Sequence, residues 1–141
     1  MKRDCTLVLL TLNELDGLRL LWDEIPVDKF NTVLAVDGGS TDGTREFLTE
    51  KGVPILDQSI PGRGVAFRVA AEASRDARVV YYSPDGNEDP LDIERLDDLL
   101  IAGNDLAIAS RFAAGSVNEE TDWMRPRARV NQTLTWVANK L

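Results

Sequence analysis

Histidine is absent from this 141-residue chain, and cysteine occurs once. The first absence excludes serine–histidine and cysteine–histidine catalysis and every histidine-ligated metal. Any metal here must be a hard cation on oxygen ligands. The single Cys5 excludes an intramolecular disulfide and fits a reducing compartment. It lies in an apolar run, where a buried core thiol is a better reading than a reactive one. No stretch approaches the 18 apolar residues of a membrane span, and the N-terminus lacks the apolar core of a signal peptide. These absences lead us to expect a cytoplasmic, non-spanning protein. Basic residues are the minority, 16 Lys and Arg against 24 Asp and Glu, for a net charge of −8. A general nucleic-acid binder needs a basic footprint, so that class is excluded. A local basic site for phosphate is not. Repeats, linkers and low-complexity segments are missing too.

What remains is a regular alternation of apolar runs and amphipathic stretches, in a chain of single-domain length. Residues 5–12 are almost continuously apolar, as in a parallel strand buried on both faces. Leu15, Leu18, Trp22 and Ile25 then recur at helical spacing up to Pro26. Further strands are predicted at 32–36, 53–56, 79–82 and 106–109, the second of these at an edge because of Pro54. Further helices are predicted at about 43–51, from Ala66 to Ala73, from Ile93 to Leu100, and on the face carrying Val130, Leu134, Val137 and Leu141. Ala66, Val69, Ala70 and Ala73 suit a helix packed closely on a sheet. Residues 113–122 read as a polar, acidic loop. The alternation predicts an α/β fold with a mostly parallel sheet and a single domain over 1–141.

Polar clusters follow four of the strands: Thr11 to Glu14, Asp37 to Asp42, Ser83 to Asn87, and Ser110-Arg111. A parallel sheet brings such clusters to one edge, where α/β proteins bind ligands. Asp37 ends its strand beside Gly38 and Gly39, which carry no Cβ, so it is expected to project there uncrowded. The plainer reading is a βα turn with Thr41 or Asp42 as helix cap. Ser83, Asp85 and Asn87 stand at alternate positions. In an extended segment they share one face and could hold a divalent cation against a diphosphate. A Pro-Asp-Gly-Asn turn accounts for the same residues.

Taken in order, these segments resemble the family 2 glycosyltransferases of the GT-A fold, and among them the dolichyl- and polyprenyl-phosphate sugar synthases. Leu10-Thr11-Leu12-Asn13-Glu14 resembles the opening strand and Asn-Glu turn of that family. Residues 35–44 resemble its Asp-Asp-Gly-Ser-Thr-Asp-Gly-Thr segment, residues 62–66 its Gly-Lys-Gly loop, residues 83–90 its Asp-Ala-Asp-Gly-Gln-His-Asp-Pro segment, and residues 109–112 its Ser-Arg-Tyr. The resemblance implies a three-layer α/β/α sandwich with a Rossmann-like nucleotide-binding half. It implies a donor site for a nucleotide-diphosphate sugar built from Thr11, Asn13, Glu14, Asp37, Gly39, Ser40 and Arg63. Asp85, Asn87 and Ser83 would hold Mg²⁺ or Mn²⁺. Asp85 is then catalytic through the leaving diphosphate, and Arg111 and Arg129 through a lipid-phosphate acceptor, whose oxygens an arginine fork matches.

The activity implied is inverting sugar transfer to a polyprenyl phosphate, by a protein with peripheral contact at the cytoplasmic membrane face. Two departures stand out: Ser83 replaces the first aspartate of Asp-x-Asp, and Gly38 the second aspartate of the donor segment. The chain is also shorter than the resemblance suggests, so part of the acceptor region is expected to be missing. Glu119, Glu120 and Asp122 could include a base or form a charged lid. The alternative function is a nucleotide-sugar-binding regulatory module with weak or no transferase activity.

Overall fold

The computed structural model describes residues 2–74 and 76–110. Nearly all of these belong to one compact unit that runs to Ile108; a second unit begins at Ala109. The elements alternate as β1 (Arg3–Thr11), α1 (Leu15–Leu21), a 3₁₀ turn (Val27–Lys29), β2 (Phe30–Asp37), α2 (Thr44–Glu50), β3 (Ile55–Asp57), α3 (Arg63–Ala73), β4 (Val79–Tyr82) and α4 (Leu91–Ile101). The strands pair in parallel in the order β3-β2-β1-β4. Thr11 pairs with Asp37, and Asp37 with Asp57, so the strands end together and their loops open at one edge.

The period-2 alternation of β1 sends its side chains into two cores. Cys5, Leu7 and Leu9 pack with Leu18 of α1, Leu48 of α2 and Ile93 of α4. Val8 and Leu10 pack on the other face with Ala66 and Ala70 of α3. The result is the expected three-layer sandwich, with α3 alone on its face among the described helices. The small-residue face of α3 lets it lie close to the sheet. Cys5 is fully buried, and burial together with Asp97 pushes its thiol up to about 12, as befits a core residue.

Two expectations fail. Residues 106–109 form no strand: Leu106 and Ile108 remain more than 70% exposed (74% and 73%), and no described strand pairs with them. An apolar alternation supplies strand propensity, but a strand exists only through its ladder. Helix α1 stops at Leu21 rather than reaching Ile25, because the Glu24 N–H bonds back to the Leu21 carbonyl and tightens the last turn. That turn drops Ile25 into the core. Residues 111–141, with their acidic loop, predicted helix, Arg111 and Arg129, lie outside the described residues. Among those described, no helix is long and apolar enough to cross a membrane.

At the edge opposite the loops, Asp97 of α4 is completely buried. It accepts hydrogen bonds from Arg3 (2.8 Å) and Arg78 (2.7 Å), which begin β1 and precede β4. Burial alone would raise its carboxyl; the two guanidinium groups hold it below the ordinary value. A lowered carboxyl stabilises the fold above its unfolded-state pKa of about 4, and that contribution disappears as pH falls through the folded-state value. Asp97→Asn is therefore expected to cost about 2–4 kcal/mol at neutral pH. Urea denaturation at several pH values should show the gap to wild type narrowing below about pH 4.

Candidate functional site

Two neighbouring loops at the strand ends are stitched together by side chains of residues 37–44. The Asn13 N–H donates to Ser40 Oγ (2.8 Å), the Glu14 N–H to Thr44 Oγ1 (2.9 Å) and the Leu15 N–H to Asp42 Oδ2 (3.0 Å). These amides precede or open α1, a helix that lacks a side-chain cap of its own. Asp42 also accepts from the Thr44 N–H (3.0 Å) at the start of α2, so one carboxylate serves two helix starts. The expected cap is displaced by one residue: Gly43, in the left-handed conformation, is the N-cap of α2, and Asp42 accepts from the position before it. Asn13 Oδ1 returns the link by accepting from the Thr41 N–H (2.9 Å).

Asp37 is the centre of the second loop, and its position corrects the sequence expectation. It does not project freely: its side chain is fully enclosed. Oδ1 accepts from the N–H groups of Gly39 (3.0 Å) and Ser40 (2.9 Å) and from Arg45 (3.0 Å); Oδ2 accepts from the hydroxyls of Thr11 (2.9 Å) and Ser40 (2.6 Å). Burial opposes the charge, yet Ser40, Arg45 and Thr11 hold the carboxyl below its ordinary value. The loop amides fold back onto the carboxylate and leave it no face for a ligand. Its task is to shape the loop that presents Gly38.

A cavity of about 310 Å³ opens at this edge. Thr11, Glu14, Arg63, Ser83 and Asp85 line it, as expected; Asn13, Asp37, Gly39, Ser40 and Asn87 do not. The absence of Asn87 has a local cause. The Asn87 N–H bonds to Asp85 Oδ1 (2.9 Å) and Gly86 takes φ +82°, so the chain turns after Asp85 instead of extending. Alternation therefore ends at Asp85, and the turn reading is right for that half of the segment. The cavity lies where the strand order reverses, between β1 and β4, the place at which open α/β sheets bind ligands.

Its electrostatics are uneven. Burial raises the Glu14 carboxyl, and the charges of Asp85 and Asp42 add to it. Glu88, which sequence reading passed over, accepts from the Ser83 N–H (2.8 Å) and pairs with Arg63 (3.5 Å). Burial and Asp85 push its carboxyl upward. A divalent cation would relieve the repulsion around Asp85, and Mg²⁺ accepts one or two protein carboxylates when waters and phosphates complete its shell. Asp85, with the Ser83 hydroxyl beside it, fits that minimal role. No group of three acidic side chains among the described residues forms a self-sufficient metal cage.

Three more residues hold the site without having stood out. Arg45 bridges Asp37 and Asp57 (2.8 Å). Gln58 lines the cavity. Gly17 lies inside α1, where a glycine weakens a helix by about 1 kcal/mol. Its reason is close approach: a Cβ there would stand 1.8 Å from the Pro84 carbonyl oxygen. An internal glycine in so short a predicted helix was the available signal.

The model of the glycosyl transferase family 2 matches residues 6–140. The chain belongs to that family. It is 36% identical over 104 residues to the glycosyltransferase AglJ of Haloferax volcanii, covering 73% of this chain and 34% of that protein. Glucosyl-3-phosphoglycerate synthase from Mycobacterium tuberculosis, solved with UDP, superposes with a TM-score of 0.62 at 27% identity, over 71% of this chain and 40% of the synthase. Another structure of that synthase holds Mn²⁺, UDP-glucose and phosphoglyceric acid. A further mycobacterial protein gives the same TM-score at 28% identity, over 71% of this chain and 37% of its own. This family 2 chain thus spans between a third and two fifths of the length of these relatives.

Gly17→Ala should force the Ser83–Asp85 segment outward and cost about 1–3 kcal/mol by overpacking. Amide shifts concentrated at residues 83–87, with a lower urea midpoint, would report it. Asp37→Ala is expected to lower stability by about 1–3 kcal/mol, because loop donors lose a buried acceptor. Faster hydrogen exchange at Gly39 and Ser40 would locate that loss.

Proposed function

We propose that this chain carries the donor site of a glycosyltransferase that moves a sugar from a nucleotide-diphosphate sugar to a polyprenyl phosphate. The observation that carries the reading is the cavity across four parallel strand ends, with Asp85 and Ser83 at the β4 end and Arg63 also in its lining. A diphosphate suits that end: Arg63 offers phosphate a guanidinium fork, and Asp85 with Ser83 would hold Mg²⁺ or Mn²⁺. The bound cation would supply charge neutralisation for the leaving diphosphate. Synthase structures holding Mn²⁺ and UDP-glucose, or Mg²⁺ and UDP, support a metal-assisted nucleotide donor.

An acceptor phosphate is already an anionic nucleophile. Its oxygen attacks the anomeric carbon, the bond to the diphosphate oxygen breaks, and no strong base is needed. Positioning and stabilisation of the departing charge then supply the catalysis. The phosphoglyceric acid in the synthase structure supports a phosphate-bearing acceptor. The polyprenyl form of it rests on the motif resemblance, with Arg111 and Arg129 in the acceptor role. Such an acceptor would bring this part of the protein to the cytoplasmic face of a membrane.

Asp85→Asn should weaken Mn²⁺-dependent binding of UDP by about tenfold or more, or ~1.4 kcal/mol. It should leave metal-free binding near its wild-type level. Calorimetry with and without Mn²⁺ measures both. Incubation with UDP-sugars and a short polyprenyl phosphate tests transfer; binding without transfer would favour a regulatory nucleotide-sugar module.

A further inference from the structure

The cavity has two unlike ends. The order β3-β2-β1-β4 sets Gln58 after β3, Gly38 after β2, Thr11 to Glu14 at β1, and Ser83 with Asp85 after β4. Its carboxylates belong to β1 and β4, and Arg63 is drawn toward that side by Glu88. The β2–β3 end carries no charged lining group. A diphosphate placed at Asp85 and Arg63 leaves this neutral end for the nucleobase.

Gln58 is the polar side chain there. Its Nε2 donates to the carbonyls of Ile60 (2.7 Å) and Gly62 (2.8 Å). Both amide protons are committed, and the assignment of the amide is unambiguous, since only its nitrogen can serve two carbonyl acceptors. The oxygen Oε1 accepts no hydrogen bond from the described residues. The Gln58 N–H bonds to the Asp37 carbonyl (3.0 Å), which sets the residue against the peptide joining Asp37 to Gly38. Gly38 has no side chain to cover it. The nearby Thr11 hydroxyl has given its proton to Asp37. The neutral end therefore offers a ligand a side-chain acceptor and no side-chain proton.

We infer that Gln58 selects the nucleobase, its amide oxygen accepting the ring N–H of a base such as uracil. The inference rests on the nucleotide-sugar reading above. Uracil, thymine and guanine carry a proton on the ring nitrogen between their polar substituents. Cytosine and adenine present a lone pair at the matching nitrogen. Two lone pairs brought together in a desolvated site leave both unpaired, which is how an acceptor in a site rejects the wrong partner.

UDP and CDP share sugar, diphosphate and ring size, so their affinity ratio isolates the base. Titration calorimetry of the full chain with Mn²⁺ is expected to show UDP bound at least about tenfold tighter than CDP. Gln58→Lys keeps a donor for the Ile60 and Gly62 carbonyls but removes the acceptor, and should bring the ratio within about threefold. Gln58→Met, which neither donates nor accepts, should do the same. A residue that merely held the loop would weaken both nucleotides in parallel and preserve the ratio. A preserved ratio in either folded variant, or equal wild-type affinities, overturns the assignment while the nucleotide reading stands. Failure of both nucleotides to bind wild type overturns the nucleotide reading and this inference with it.

Discussion

Two carboxylates in one βα loop, Asp37 buried and Asp42 exposed, hold the edge at the strand ends in shape. Asp37 gathers the amides of Gly39 and Ser40, the Thr11 hydroxyl and the Arg45 guanidinium. Asp42 joins the starts of α1 and α2. Neither helix carries many turns, and neither would begin at a defined place without those acceptors. The loops after β1 and β2 consequently behave as one piece, and Thr11, Glu14 and Gly38 keep fixed places in the cavity wall. Polar residues that look like ligand contacts in the linear sequence are mostly the frame for the few that line the cavity.

That distinction explains what could be read from the sequence and what could not. The strand-helix alternation, the close packing of α3 and the edge position of β3 follow from periodicity and from Ala and Pro placement. Thr11, Glu14, Ser83 and Asp85 were legible because polar residues following parallel strands converge at one edge, and Arg63 through the resemblance of residues 62–66 to the family's Gly-Lys-Gly loop. Asp37 was misjudged because an adjacent glycine pair indicates room for a side chain but also lets amides turn back onto it. Asn87 was misjudged because alternation presumes an extended backbone, which the Asp85 side chain itself terminates. Gly17 meets Pro84, far away in the sequence, and only a glycine inside a short helix hinted at it. Gln58 and Glu88 bond to near neighbours, Ile60 and Gly62 and the Ser83 amide, in loops where no periodicity points to such contacts. The 106–109 run has the composition of a strand, but composition does not provide a partner.

On the proposed reading, the cavity would couple a protein of net charge −8 to an anionic ligand class. The approach is managed locally rather than globally. Asp85 and Glu14 repel a bare anion and attract a cation, while Arg63 rests against Glu88 at the rim, where solvent screens a pair that is half exposed on each side. Such a pair is cheap to break, so the guanidinium can exchange one anionic partner for another. Raised carboxyls at Glu14 and Glu88 mark the same excess of negative charge from two directions.

The strand order also governs how this molecule can come into being on the ribosome. Strand β1 is central, yet its second neighbour, β4, lies about seventy residues later, with Leu9 against Tyr82. Until β4 has been synthesised, β1 has one free edge, a row of unpaired peptide groups able to recruit another chain. Long-range parallel pairing is slow to form, because the intervening loop must close before any contact rewards it. The cavity wall formed by Ser83 and Asp85 is added in that same late event. A nascent chain halted before it would therefore be both unable to complete its binding edge and exposed to aggregation through its most apolar strand.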